Sequence, residues 1–482
     1  MIESITNVVE AIINVLYQPY IVPLLLIVGG IYFTIRCKGL QVRLFGESFR
    51  VIMEKPHSEG GVSSFGALMV STASRVGTGN IIGVATAIIL GGPGAIFWMW
   101  ITAILGGASA FVESTLAQIY KRKHVGTLEK EGLYYGGPSH YMERGLKQRW
   151  LGVFFAVLII GTYALAYNML AAYNLQSTFG AFSFYDESTT PIIIGVILAV
   201  IFGVIIIGGA KRLIKVTEFL VPIMGVIYIA ISLVVLVMNA GNLGHMFGAI
   251  FSSAFDFGAI FGGFTGSCIM WGIKRGLYSN EAGMGSAPNA AAKADVSHPA
   301  KQGLVQMLSV FIDTLLICTA TAFMCLSTNV ELGIFNEDGA ANAAGYVQAC
   351  MGETLGDFGP IFLCIAMSLF AFTTLIGNYS YCEGCLSFIL KHPATDTQLL
   401  VFRIISTVLI FLGCIASAGL VWDLGDLFQG FMVITNVPVI LILGKKAFDC
   451  LDDYVAQRKA GKNPEFKAET IGVSEEDAPA WY

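Results

Sequence analysis

The residues whose types and spacing suit chemistry lie in two short stretches of an otherwise apolar chain. The first reads Ser74-Arg-Val-Gly-Thr-Gly-Asn80. The second reads Lys274-Arg-Gly-Leu-Tyr-Ser-Asn-Glu-Ala-Gly-Met-Gly-Ser286. Gly77 and Gly79 lower helix propensity in mid-run, and Thr78 and Asn80 place polar atoms beside them. A helix broken in apolar surroundings frees backbone groups. Its N-terminal stub then attracts anions, and its exposed carbonyls hold a cation. Polar and charged groups at that depth are costly and mark function by default. Close packing through small residues accounts for Gly29-Gly30 and Gly106-Gly107. It does not account for Arg75 and Asn80.

Other chemistries find little support. The one Cys-x-x-Cys, Cys382-Glu-Gly-Cys385, sits inside an apolar segment and reads as packing rather than redox. The six histidines (57, 124, 140, 245, 298, 392) fall in loops or at the ends of apolar runs, so a haem held by paired intramembrane histidines is not expected. No His-Glu-x-x-His occurs. A membrane-embedded enzyme is therefore the weaker reading. A channel usually assembles from fewer spans around a filter.

The elements that position these stretches follow from composition. Of 482 residues, 55% are hydrophobic and 13% are charged, and mean hydropathy is +0.71. So few charges cannot cover a soluble domain of this length. The net charge is −5 with no basic block, which argues against a nucleic-acid partner. The class is an all-α polytopic membrane protein. At about 20 residues per crossing, eleven spans are predicted: 17–36, 62–90, 94–119, 150–180, 190–209, 216–238, 259–287, 300–327, 359–390, 398–418 and 423–443.

Charge orients them. With the N-terminus outside, segments 91–93, 181–189, 239–258, 328–358 and 419–422 lie outside and contain none of the 28 Lys and Arg residues. Segment 328–358 instead carries Glu331, Glu337, Asp338, Glu353 and Asp357. This is the positive-inside pattern, with a cytoplasmic C-terminus. Residues 37–57 read as an amphipathic helix on the inner interface. The tail beyond about 450 reads as a solvated, flexible end.

The chain also repeats itself. At an offset of 200, Arg75, Asn80, Gly83 and Ala87 match Arg275, Asn280, Gly283 and Ala287. Phe111-Val-Glu-Ser114 matches Phe311-Ile-Asp-Thr314 in kind, and eight of the 55 positions over 62–116 are identical. By the span order the two copies run in opposite directions, as in inverted-repeat transporters, which bind their solute where related helices break at mid-membrane.

At this point the residues resemble a known family. Gly91-Gly-Pro-Gly-Ala-Ile-Phe-Trp-Met-Trp-Ile-Thr-Ala-Ile-Leu-Gly106 is similar at every position to the signature of the alanine or glycine:cation symporters. Tyr135-Gly-Gly-Pro-Ser-His-Tyr141, Gly276-Leu-Tyr-Ser-Asn-Glu-Ala-Gly-Met-Gly-Ser-Ala287 and Phe311-Ile-Asp-Thr314 resemble further blocks. The likeness runs from about residue 20 to 445. It implies a leucine-transporter-type fold: two inverted five-helix repeats, 62–238 and 259–443, plus one extra N-terminal helix. The domains would be 1–57, a transporter core at 58–445 and a cytoplasmic tail at 446–482. The implied activity is sodium-driven uptake of a small neutral amino acid, usually alanine or glycine, across the cell's inner (plasma) membrane. Some members use protons or other amino acids.

Residue by residue, the resemblance implies substrate contacts at Thr78 and Gly79. Asn80 would touch the substrate or a sodium ion through its amide oxygen; the alternative is a glycine kink capped by Asn80. A sodium site would be formed by the carbonyls of Ala73, Val76 and Phe370 and the hydroxyls of Thr373 and Thr374. The alternative there is threonine bonding back to the preceding turn. Asp313 would neutralise Arg75 or Arg275, or help hold a cation. Glu281 is a candidate gate residue, and Glu113 a structural one. Two departures alter the pocket. Members often carry Gly-Asn-Met-Val-Gln in the third core helix, where this chain has Tyr167-Asn-Met-Leu-Ala171. They often have Trp after Ile-Gly in the eighth, where this chain has Asn378. Ala171, Thr374 and Asn378 complete the expected substrate set, and a more polar pocket would admit serine or glutamine as well as alanine.

Overall fold

The computed structural model describes residues 2–17, 21–58, 61–123, 134–207, 209–256, 267–335 and 342–482. Helices account for nearly all of the ordered elements. They are α1 (Ile2–Tyr17), α2 (Ile21–Arg36), α3 (Leu40–Arg43), α4 (Phe45–Ile52), α5 (Ser64–Arg75), α6 (Ile82–Gly91), α7 (Gly94–Ile119), α8 (Pro138–Gly145), α9 (Arg149–Ile160), α10 (Tyr167–Ser177) and α11 (Thr190–Ile206). After these come α12 (Gly209–Met238), α13 (Leu243–Ala254), α14 (Cys268–Asn280), α15 (Pro288–Ala291), α16 (Pro299–Val310), α17 (Thr319–Leu326), α18 (Ala343–Leu355), α19 (Phe358–Leu390), α20 (Asp396–Ile415) and α21 (Ala418–Lys459).

Among the described residues, eight helical stretches are long and apolar enough to cross a membrane. A ninth is counted when α5 and the helix after it, bent by 58°, are taken as one span. The shorter apolar helix α11 stands where another span is expected. Expected span 259–287 is represented by α14 and the irregular chain after it; its first residues, to 266, lie outside the described residues, as do Glu337 and Asp338. The outer helices show why a bilayer is needed. Ile193, Ile197, Val200 and Val204 of α11 and Val401, Ile404, Ile405 and Val408 of α20 are exposed. A branched aliphatic face of that extent is matched by lipid and not by water.

The core is built around the two interrupted helices. Helix α7 packs against both α14 and α16, while α19 packs against α5, α9 and α10. The interrupted helices start alike: Ser63 Oγ accepts from Gly66 N to cap α5, and Ser267 Oγ accepts from Met270 N to cap α14. Two further spans contain a π segment, Gly161–Ala166 between α9 and α10 and Phe311–Cys318 between α16 and α17. Such segments are rare and occur frequently at functional sites. All ten cysteines are free and buried.

One expectation is corrected. The tail is not a solvated, flexible end. Helix α21 continues to Lys459, and residues 460–482 fold back onto the molecule. Phe466 N donates to Ser297 O (3.0 Å), and Trp481 Nε1 donates to Gln118 O (2.7 Å). Phe466, Ala468, Ile471, Val473 and Ala478 are buried. These apolar side chains alternate with charges, so the segment reads as polar on average while keeping a face that needs cover.

Candidate functional site

The first break is a local exchange of hydrogen bonds. In a continuous helix Gly77 N–H would donate to Ala73 O and Asn80 N–H to Val76 O. Here Gly77 N donates to the Asn80 side-chain oxygen (2.8 Å), and Asn80 N donates to Gly77 O (3.1 Å). The carbonyls of Ala73 and Val76 thereby lose their helical donors. Thr78–Asn80 form a single tight turn before α6 resumes.

Helix α19 lies directly on this break. A Cβ at Gly377 would fall on the Ala73–Ser74 backbone, and one at Gly77 would collide with Thr374 Oγ1. Glycine is therefore required at both points of approach. Thr374 Oγ1 is buried and has no hydrogen-bond partner among the described residues. A buried hydroxyl left unpaired is costly and calls for an explanation. Its neighbour Thr373 donates to the Leu369 and Phe370 carbonyls, both at 3.0 Å. The back-bonded alternative thus applies to Thr373 and not to Thr374. Two freed carbonyls and an unpaired hydroxyl on closely packed elements are oxygens of the kind a hard cation prefers.

Asn80 is fully committed. Besides receiving Gly77 N, it donates to Asp313 Oδ1 (2.7 Å) and Ser279 Oγ (3.0 Å). Asp313 also accepts from Ser279 Oγ (2.7 Å) and Thr314 Oγ1 (2.8 Å). Asp313 therefore forms neither expected ion pair. Arg275 is held instead by Asp426, with contacts of 3.2 and 3.0 Å, and its guanidinium lies 4.1 Å from the Trp422 ring centre. Lys274 reaches the same carboxylate at 2.7 Å. Arg75 is buried, donates to Gln306 at 3.3–3.4 Å, and stands 4.0 Å from Glu281.

Thr78 and Gly79 face α10 and α14. Asn174 Nδ2 donates to Thr78 Oγ1 (3.2 Å), and a Cβ at Gly79 would lie 2.8 Å from the Tyr278 ring. Ala171, three residues before Asn174 and so on the same helix face, is buried. Lower on α10, Asn168 Oδ1 accepts from Asn378 Nδ2 (2.9 Å), and Ser74 Oγ donates to Asn378 Oδ1 (2.6 Å). Asn168 Nδ2 and Asn174 Oδ1 are buried without partners among the described residues. This places a polar wall of Asn168, Asn174 and Asn378 along the break.

The second break is held differently. Helix α14 ends before Glu281 (φ 56°), and Gly283 and Gly285 also have positive φ. Glu113 on α7 accepts Gly283 N (3.3 Å), Gly285 N (3.1 Å) and Asn436 Nδ2 (2.9 Å). Glu281 accepts from Ser286 Oγ (2.7 Å) and Ser74 Oγ (3.2 Å), which links the two breaks.

The structure thus brings Ala73, Arg75, Val76, Thr78, Gly79, Asn80, Phe370, Thr373, Thr374, Asn378, Glu281 and Asp313 to one region. Arg275 lies apart, with Asp426 and Trp422. Sequence reasoning missed Asp426, Tyr278, Asn168 and Asn174. The signal for Asp426 was available: it is an acidic residue inside an apolar span, as Asp313 is.

Comparison with known proteins bears on this geometry. The model of the sodium:alanine symporter family matches residues 2–468. The chain belongs to that family. It is a transporter family, not an enzyme family. A relative described as a probable sodium/glutamine symporter, GlnT of Bacillus subtilis, is 44% identical over 97% of this chain and 95% of its own. A sodium/proton-dependent alanine carrier of Bacillus sp. PS3 is 37% identical over 88% and 95%. The sodium/alanine symporter AgcS of Methanococcus maripaludis is 37% identical over 91% and 94%. A crystal structure of a mutant manganese transporter of Eremococcus coleocola superposes with a TM-score of 0.50 and 12% identity, covering 86% of this chain and 85% of that one. That likeness concerns the fold alone.

Proposed function

We propose that the protein is a sodium-coupled symporter that takes up a small neutral amino acid, alanine or glycine first, by alternating access. On this reading the fold is of the leucine-transporter type, with eleven spans arranged as five plus five after one extra helix. The protein resides in the plasma membrane, N-terminus outside and C-terminus cytoplasmic. The observation that carries the reading is the first break. The carbonyls of Ala73 and Val76, freed by the exchange of Gly77 N–H onto Asn80, stand beside the unpaired Thr374 hydroxyl.

Sodium is cargo here, and these oxygens, with the Phe370 carbonyl and the lone pairs that Thr373 keeps while its proton is back-bonded, are its binding set. Asn80 positions the break through Gly77 and Asp313; its amide oxygen is already occupied by a backbone N–H. The amino acid's carboxylate meets the backbone N–H groups at the start of α6, beyond Thr78-Gly79-Asn80, where the helix dipole favours an anion. Its ammonium meets acceptors at the break. Binding the ion and the zwitterion together satisfies groups that neither satisfies alone, and that is the physical basis of coupling.

A second reading broadens the substrate. Asn168, Asn174 and Asn378 offer an unpaired amide donor and an unpaired amide acceptor along the pocket wall. A substrate carboxamide or hydroxyl complements them, which agrees with the glutamine in the name of one relative.

Uptake into proteoliposomes tests both readings. Alanine accumulation that follows an imposed sodium gradient supports symport with sodium. Accumulation driven only by a proton gradient overturns sodium coupling. If glycine and alanine compete for uptake and every larger amino acid fails to, the broader pocket is refuted.

A further inference from the structure

Away from the breaks, on the side that carries the tail, the strand pair Arg122–Lys123 and Tyr134–Tyr135, the chain after α19 and the short helix α8 line an open cavity of about 610 Å³. Its lining includes Arg122, Arg144, Arg149 and Lys391 against Glu143, the one carboxylate among the described lining residues, with Glu476 beside Arg144 and Asp477 acting on Arg122 from outside the lining. His392 stands at the same rim.

Two of these cations, Arg149 and Arg122, are held in place by hydrogen bonds. Arg149 donates to Glu143 Oε1 (2.7 Å) and to Phe388 O (2.9 Å), and its guanidinium lies 4.8 Å from the Phe388 ring centre. Arg144 is 3.6 Å from Glu476, and its Nε is buried without a partner among the described residues. Arg122 donates to the Glu476 backbone carbonyl (3.1 Å). Burial, and after it the charge of Arg144, hold the Arg122 guanidinium pKa below its ordinary value. Two guanidinium groups kept close together, with only partial compensation, attract an anion.

The depth of the cavity follows from α9. That helix begins at Arg149, and Trp150, Phe154 and Val157 are 67%, 45% and 54% exposed along one face. Exposed aliphatic and aromatic groups on a spanning helix face acyl chains, and a Trp at its first turn marks the headgroup level. Arg149, one residue before Trp150, opens onto the cavity at that level. Arg forks match phosphate oxygens in pairs, and basic pockets between spanning helices suit anionic headgroups.

We propose that this cavity is a binding site for a phosphate-bearing anion, supplied by the headgroup of an anionic phospholipid or by free phosphate. The site depends on residence in a membrane and not on which solute the breaks carry. Arg149 and Arg144 grip the phosphate oxygens, Lys391 closes the outer rim, and the acyl chains of a lipid lie along Trp150 and Phe154.

The test compares thermal unfolding of the full chain in nanodiscs of phosphatidylcholine with and without phosphatidylglycerol, and in detergent with added inorganic phosphate. Wild type is expected to melt higher with phosphatidylglycerol. The double variant Arg144→Gln with Lys391→Gln loses at least half of that rise while melting unchanged in phosphatidylcholine alone. Lys38→Gln, a surface charge outside the cavity, keeps the rise. A saturating rise with inorganic phosphate in detergent supports the site and identifies the free anion as its ligand; its absence, with the lipid effect present, identifies the headgroup. The proposal is overturned if neither phosphatidylglycerol nor phosphate raises the melting temperature. It is also overturned if the double variant keeps the full rise, or if Lys38→Gln loses it equally.

Discussion

Thr374 carries a hydroxyl that is buried, unpaired and pressed against Gly77. Because it makes no hydrogen bond among the described residues, replacing it with the near-isostere valine removes no native bond seen there. Thr374→Val is therefore expected to leave the melting temperature unchanged or slightly raised. The same change removes an oxygen from the proposed sodium set. An interaction with a charged partner is worth about 1.5–3 kcal/mol, so the sodium concentration for half-maximal uptake should rise about tenfold or more. An unchanged sodium titration in this variant would exclude Thr374 as a ligand. Asp426 shows the opposite balance. It pairs with both Arg275 and Lys274, and removing one member of a buried pair leaves an uncompensated charge. Asp426→Asn should cost about 3–5 kcal/mol, read as a large drop in thermal stability even without substrate or sodium.

At the scale of elements, two carboxylates that match at the offset of 200 residues each brace the other stretch's break. Glu113, on α7, receives the backbone N–H groups of the second break. Asp313, in the π segment after α16, receives Asn80 of the first break. Glu113→Gln keeps the shape but turns an amide NH2 toward at least one of two N–H donors. Leaving one buried donor unpaired costs about 1–3 kcal/mol, and the loss falls on the segment 281–285. Hydrogen exchange should report it there while the first break keeps its protection; uniform loosening would contradict the assignment. The breaks themselves were legible in the sequence, because glycine and polar residues inside apolar runs act through local propensity. The bounds of α7, of α19 and of the span that runs from α16 to α17 were legible within a residue or two for the same reason. The pairing of Glu113 with Gly283 and Gly285, and of Asp426 with Arg275, was not. Both join residues more than 150 positions apart, and no spacing rule connects them. The residues proposed to hold sodium were placed through family resemblance, and the structure then separated Thr374 from the back-bonded Thr373.

For the whole molecule, the folded-back tail ties together elements that the spans alone leave apart. Trp481 packs with Val62 against Ala67 of α5, Ala294 and Val296. It bonds to Gln118 O at the end of α7 and lies 4.4 Å from the Lys121 ammonium. Lys301 Nζ meets Asn463 Oδ1 (2.9 Å) and Glu54 Oε2 (2.6 Å), joining the tail to α16 and to the chain after α4. The ion pairs Lys147–Asp477 and Arg144–Glu476 add little, since each has a largely exposed member and such pairs are worth at most about 1 kcal/mol. The hold is therefore apolar and hydrogen-bonded, and it should resist salt. Truncating a fully buried Trp costs about 3–5 kcal/mol. Trp481 is only partly buried, so roughly 2 kcal/mol is expected for Trp481→Ala. Limited proteolysis separates the contributions: the variant should be cleaved within 460–480 at low salt, whereas wild type should stay protected even at high salt, where the surface pairs are screened. Cleavage of wild type on raising salt alone would show that charge, not the packing of Trp481, fastens the tail.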